Sequence, residues 1–403
     1  MARPFYGWYV VAAAFAITGV GFGSAYSFSA FVDSLQRDFS ASRGSVSLVF
    51  SLAGVLYFAM GVISGPLGDR WGARRVTVLG MLLVGLGLCA AGMARTLTQV
   101  YVAYGLGIGL GVGFSYVPAL GAVQRWFVKR RGFASGLAVS GIGVGTLVMP
   151  PLAALLIRSL GWRGAYEVLG VLAAVVGVGM SLLIENDPRQ RGLAPDGDPL
   201  QAGAAAAAGF SLGEAVKSRR FAGLYAACLV CSFGLFVPFV HLVPYALDHG
   251  VAPSAAVLLL GAVGVGSTAG RFALGGLADT LGRAISLVLM FTGMALALFI
   301  WLLSDRLFGL AVFALVYGVF YGGFVAILPA LVMDYFGGRN VGSIIGVLYT
   351  SVAAGTLVGP SAAGYAFDLS HSYTVPILCS IAANAIAALI VASMQRAAAK
   401  ITA

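Results

Sequence analysis

The sequence predicts an all-α membrane protein, with twelve transmembrane helices in two pseudo-symmetric six-helix bundles. Three observations carry that prediction. Of the 403 residues, 60% are hydrophobic and only 9% charged, whereas a soluble domain carries about 25% charged residues; the mean hydropathy is +0.96. Apolar stretches of about 20 residues, each long enough to span a bilayer as a helix, recur at 6–32, 44–65, 76–94, 98–123, 132–157, 164–184, 221–247, 252–277, 284–303, 307–335, 341–366 and 373–395. The chain also repeats itself. "GPLGDRWGARR" at 65–75 parallels "GGLADTLGRA" at 275–284, and "GTLVMP" at 145–150 parallels "GTLVGP" at 355–360. Asp69 matches Asp279, Gly72 matches Gly282 and Gly136 matches Gly346, each pair 210 residues apart.

Taken in order, span 6–32 reads as a helix rather than a secretory signal. Its apolar run exceeds an h-region, and no small-residue cleavage site precedes the next polar loop. The loop after the second span and its copy after the eighth put Asp69 and Asp279 at helix ends, near Arg70, Arg74, Arg75 and Arg283. A carboxylate there can cap a helix N-terminus or pair with arginine while that face is closed. Asp69, Arg70, Arg74, Asp279 and Arg283 are therefore expected to gate one face. In the fourth span, "GLGIGLGVGF" at 105–114 contains a formal GxGxxG, but no strand precedes it. Gly105, Gly109 and Gly113 share one helical face, which implies close helix packing. Gly141, Gly145, Gly355 and Gly359 repeat the pattern, each pair ahead of a proline at 150 or 360, and are expected to let helices slide at the seam between halves.

Segments 1–184 and 221–403 read as the two bundles. The intervening 185–220 carries three prolines, mixed charge and an alanine run, as a linker does, with room for a short interfacial helix near Ser211–Arg220. All four cysteines fall in apolar spans. Cys228 and Cys231 form a CxxC with no second ligand pair, so no metal site or disulfide framework is implied. The net charge of +10 reads as orientation, not nucleic-acid binding. With the N-terminus in the cytoplasm, seventeen Lys and Arg fall on the cytoplasmic side and six opposite. That split predicts cytoplasmic N- and C-termini.

The pattern G-x-x-x-D-R-x-G-x-R-R and its second copy look like the signature of the major facilitator superfamily. Within it, "WFVKRRGFASGLAVSGIGVG" at 126–145 resembles the fifth-helix signature of the monocarboxylate transporter family, and "FYGWYVV" at 5–11 resembles its opening motif. The resemblance covers nearly the whole chain outside the linker. It implies a proton-coupled carrier of lactate- or pyruvate-like anions in the cell's plasma (inner) membrane, a bacterial-type member working by alternating access. The alternative is an organic anion antiporter of the oxalate–formate type.

Between Asp248 and Asp279 the chain has one fixed charge, Arg271. It precedes Asp279 by eight residues, about 12 Å along a helix, which places it near the middle of a ~30 Å hydrocarbon core. At that depth it is expected to face the cavity between the halves. A guanidinium matches a carboxylate bidentately. The family resemblance points the same way, since "AGRFALG" at 269–275 resembles the segment that carries the family's substrate-binding arginine. Two departures accompany it. Ser267 stands where family members typically have aspartate, and "YSFSAF" at 26–31 lacks their lysine. For a proton site the candidates are therefore His241 and Asp248, two helical turns apart. Tyr116, Tyr321 and Tyr349 are expected to contact substrate, with Phe28, Phe236 and Phe324 as weaker candidates for cavity walls.

No HExxH motif, metal-ligand cluster or nucleophile–base pairing is evident, so no enzyme, no metal and no cofactor are expected. The expected partners are a small monocarboxylate, protons and the bilayer, and the expected assembly is a monomer. Val341 to Phe367 contains no Lys or Arg, whereas the oxalate-exchanging relative uses a lysine in that helix as a second cation. One cation favours a monoanion over a dianion, because a buried uncompensated charge costs several kcal/mol.

Overall fold

The computed structural model describes residues 5–127, 131–197, 209–337 and 341–402. Arg3, Lys129, Arg130, Arg339 and the alanine-rich part of the linker lie outside them, as do the side chains of Asp69 and Asp279. The described chain is almost wholly helical, as lipid requires of spans that must satisfy their own backbone hydrogen bonds. α1 (Gly7–Tyr26) tightens into a 3₁₀ turn, Ser27–Ala30, and continues as α2 (Val32–Phe39). α3 (Arg43–Ala59) and α4 (Gly61–Trp71) form one bent rod, at 42°. α5 (Ala73–Gly92) follows. α6 (Leu97–Val100), a π-helical stretch at Tyr101–Leu106 and α7 (Gly107–Trp126) run on continuously.

α8 (Arg131–Ser181) has 51 residues, about 75 Å at 1.5 Å per residue, more than twice the ~30 Å hydrocarbon thickness. Gly161 breaks it at φ 73° and ψ 168°, a conformation that glycine adopts without a side-chain clash. Among the described residues, ten helices are long and apolar enough to cross a membrane, or eleven if α3 and α4 count as one. The expected count of twelve rests on dividing α8 at Gly161, between the spans read at 132–157 and 164–184.

The second half holds α9 (Leu212–Lys217), α10 (Arg219–Leu235), α11 (Val237–Asp248), α12 (Pro253–Leu281), α13 (Arg283–Leu302), α14 (Leu307–Phe336), α15 (Val341–Ser370) and α16 (Thr374–Thr402). α9 is the short helix expected near Ser211–Arg220. It starts with a capping box, Ser211 accepting from the Glu214 backbone N–H while the Glu214 carboxylate accepts from that of Ser211. The halves meet along two seams, α3 with α15 and α8 with α12.

The glycines expected to slide at this seam lie elsewhere. A Cβ on Gly145 would stand 2.0 Å from the Gly19 carbonyl oxygen on α1, and one on Gly359 2.1 Å from that of Phe233 on α10. Gly141, against Phe15 and Thr18, and Gly355, against Ser232, likewise pack inside one half. A four-residue spacing defines a small face but not the neighbour it meets. The fourth-span face does pack closely as expected, with Gly105, Gly109 and Gly113 against Leu52, Leu56 and Met60.

At the seam itself sit Gly143 and Gly264. A Cβ on Gly143 would fall 2.1 Å from Thr268 Oγ1, and one on Gly264 2.5 Å from the Gly143 carbonyl oxygen. Gly264→Val should therefore wedge the halves apart and slow transport about tenfold, the effect of ~1.4 kcal/mol lost by the closed arrangement. Maleimide labelling of a cysteine at Thr146, buried at 2% exposure beside Gly264, should rise in parallel. Unchanged labelling would mean that the seam tolerates the added bulk.

Candidate functional site

α12 is held tightly against α14 by small residues on both helices. A Cβ on Gly270 would stand 1.9 Å from the Val319 carbonyl oxygen, and one on Gly322 2.0 Å from that of Ser267. That contact fixes the backbone beside Arg271, which is 4% exposed. Its Nε, Nη1 and Nη2 are buried with no hydrogen-bond partner among the described residues. An unpaired buried cation is costly, and inside a membrane such a group marks a functional site by default.

Four tyrosines lie within reach of the field of this guanidinium: Tyr321, Tyr116, Tyr26 and Tyr349. They come from α14, α7, α1 and α15, two from each half. The Tyr26 and Tyr321 hydroxyls meet across the halves at 3.1 Å, and Tyr116 and Tyr349 face the same space from opposite halves. All four line one cavity, together with Phe22, Phe58, Phe236 and Phe324. Arg271 sets the field of this cavity without itself lining it. The three tyrosines read from the sequence thus converge on Arg271. Phe236, at the break between α10 and α11, and Phe324 form walls as expected, whereas Phe28 packs in the first half against Phe50 and Tyr104. Tyr26, Phe22 and Phe58 were missed. Tyr26 opens the stretch "YSFSAF", where the reading looked only for a lysine.

His241 and Asp248 are not in this cavity. They belong to a second cluster, near the face opposite the chain termini, where the halves join. Arg43, the first residue of α3, donates to both Asp248 carboxylate oxygens, at 2.6 and 3.2 Å, and to the Tyr373 hydroxyl at 3.1 Å. Its guanidinium also lies over the Phe367 ring, 4.2 Å from the centroid. Asp368 accepts the backbone N–H groups of Arg43 and Gly44, at 3.0 and 2.8 Å, so a carboxylate from one half caps a helix of the other. His241 Nδ1 lies 3.0 Å from the Tyr373 hydroxyl, and Nε2 lies 2.8 Å from the Pro360 carbonyl oxygen. Ser51 and Ser361 complete the contact at 2.9 Å. Sequence reading did not single out Arg43 or Asp368.

On the terminal face, the arginines of the expected gate hold groups of their own halves. Arg74 donates to the Ile184 carbonyl and to Glu185, at 2.9 and 3.4 Å. Arg283 pairs with Asp334, and Arg70 is exposed. Among the described residues, the ion pair that joins the halves is Arg43–Asp248.

The sequence profile of the Major Facilitator Superfamily matches residues 11–304 and 222–400. Monocarboxylate transporter 11 of Mus musculus is 31% identical, over 93% of this chain and 84% of its own. Monocarboxylate transporter 3 of Rattus norvegicus is 30% identical, over 92% and 76%. Among solved structures, a bacterial homolog to the human lysosomal transporter Spinster, in its inward-facing and occupied conformation, superimposes with a TM-score of 0.73. That likeness covers 98% of each chain at 16% identity, and it speaks for the fold alone. The chain belongs to the major facilitator superfamily and, within it, to the monocarboxylate transporter family: it is a multi-pass membrane transporter, not an enzyme.

Proposed function

We propose that this chain carries small monocarboxylates such as L-lactate or pyruvate across the plasma membrane together with a proton, by alternating access, with both termini in the cytoplasm. The observation that carries this reading is Arg271, a buried guanidinium whose three nitrogens have no partner among the described residues, ringed by tyrosines from both halves. A carboxylate supplies the missing counter-charge. The tyrosine hydroxyls, once released from each other, can donate to its oxygens. Substrate contacts are assigned to Arg271, Tyr26, Tyr116, Tyr321 and Tyr349. The names of the monocarboxylate transporter relatives support the same cargo.

Proton coupling is assigned to His241 rather than Asp248. With the opposite face closed, a proton on Asp248 would break its ion pair with Arg43. A proton on Nδ1 of His241 keeps the Nε2 bond to the Pro360 carbonyl and reverses the bond to Tyr373, whose hydroxyl gives up its donation to the ring, while the Arg43–Asp248 pair stays intact. Asp69, Arg70, Arg74, Asp279 and Arg283 are proposed to close the terminal face in the other half of the cycle. Single-cation chemistry favours symport of a monoanion over oxalate–formate exchange.

Uptake of labelled lactate into proteoliposomes tests the reading. An inward proton gradient should accelerate it, and His241→Gln should abolish that acceleration while leaving lactate–lactate exchange. Uptake that ignores the gradient but requires an anion inside would establish the exchanger instead.

A further inference from the structure

We propose that the preferred cargo of the Arg271 site is a monocarboxylate with an apolar body of about five carbons or more, aliphatic or aromatic, rather than a three-carbon acid. This rests on the carboxylate reading above and adds what lies beyond the carboxylate. In this closed arrangement the cavity encloses about 30 Å³ of free space, room for a water or two, so the chemistry of its lining, not its present volume, bears on the cargo. Among the described residues its polar side chains are the four tyrosines, of which Tyr26 and Tyr321 are paired through their hydroxyls.

A bound carboxylate takes those hydroxyls and the field of Arg271. The remaining wall is carbon: Phe22, Phe58 and Ile142 from the first half, Phe236, Phe324 and Leu328 from the second. A substrate hydroxyl or second carboxylate placed there would lose its water without gaining a partner. A methylene placed there is removed from water at a gain of about 0.8 kcal/mol, roughly fourfold in affinity. Because the carbon walls belong to both halves, a longer body also bridges the seam that a short acid leaves to the tyrosines alone.

Isothermal titration of the purified chain with pyruvate, 2-oxobutanoate, 2-oxopentanoate, 2-oxohexanoate and phenylpyruvate tests the proposal. Kd should fall about fourfold per added methylene, with phenylpyruvate among the tightest and pyruvate the weakest. Phe236→Ala and Leu328→Ala should each reduce the ratio between the 2-oxohexanoate and pyruvate affinities. A Kd that stays flat or rises with chain length overturns the apolar-body proposal and leaves the carboxylate reading intact. Failure of every acid to bind, whatever its length, overturns both.

Discussion

Arg271→Met should abolish carboxylate uptake, by about a hundredfold or more, and at the same time raise the thermal stability of the protein. The two effects share one cause. The guanidinium is 4% exposed and none of its nitrogens has a partner among the described residues, so the unliganded protein bears the cost of a buried charge. Replacing it with an apolar chain of similar length removes that cost. The same replacement removes the counter-charge of the substrate, a loss of roughly 3 kcal/mol in binding. Arg271→Lys should keep the cost and lose the planar fork, which makes it both poorly active and no more stable. Thermal unfolding and uptake measured on the same preparations check this. A loss of stability in Arg271→Met would mean that the arginine holds the fold together, and the carboxylate assignment would fail.

The second large effect is expected at the opposite face. Asp248→Asn should favour the arrangement open at that face by about 2 kcal/mol, some thirtyfold in the equilibrium. Arg43 has 10% of its side chain exposed and Asp248 34%. Loss of the carboxylate would therefore leave a mostly buried cation with Tyr373 and the Phe367 ring alone. The population shift can be read with a cysteine at Ser51, which is fully buried and bonded to Ser361 in the closed seam. Labelling from that face should rise in Asp248→Asn and in Arg43→Gln alike, while net uptake falls. Equal labelling in all three proteins would reduce the ion pair to a bystander.

How much of this could be read from the sequence depended on the kind of signal. Arg271 stood out because one fixed charge in a long apolar run is rare, and a helix rises evenly enough to give its depth from Asp279. Tyr116, Tyr321 and Tyr349 were legible as hydroxyl-bearing aromatics within spans expected to face the cavity. The Arg43 cluster carried no such mark. Arg43 and Asp248 are single charges at the ends of spans, 205 residues apart, and hydropathy reads each as nothing more than a helix end. The glycines failed in another way. Gly145 and Gly143 belong to one helix and differ only in the face they present, so spacing alone could not assign Gly145 to the packing within a half and Gly143 to the seam. Tyr26 carries no mark of its own in the sequence, since a tyrosine at the end of an apolar span is common and "YSFSAF" holds no charge.

The helix cap made by Asp368 has a kinetic consequence. In the closed form it shields the amide hydrogens of Arg43 and Gly44, which lie in the first turn of α3 and have no acceptor within their own helix. Separation of the halves bares both amides to solvent. Their deuterium uptake would therefore count openings directly, giving the alternation rate of the unmodified protein without any label.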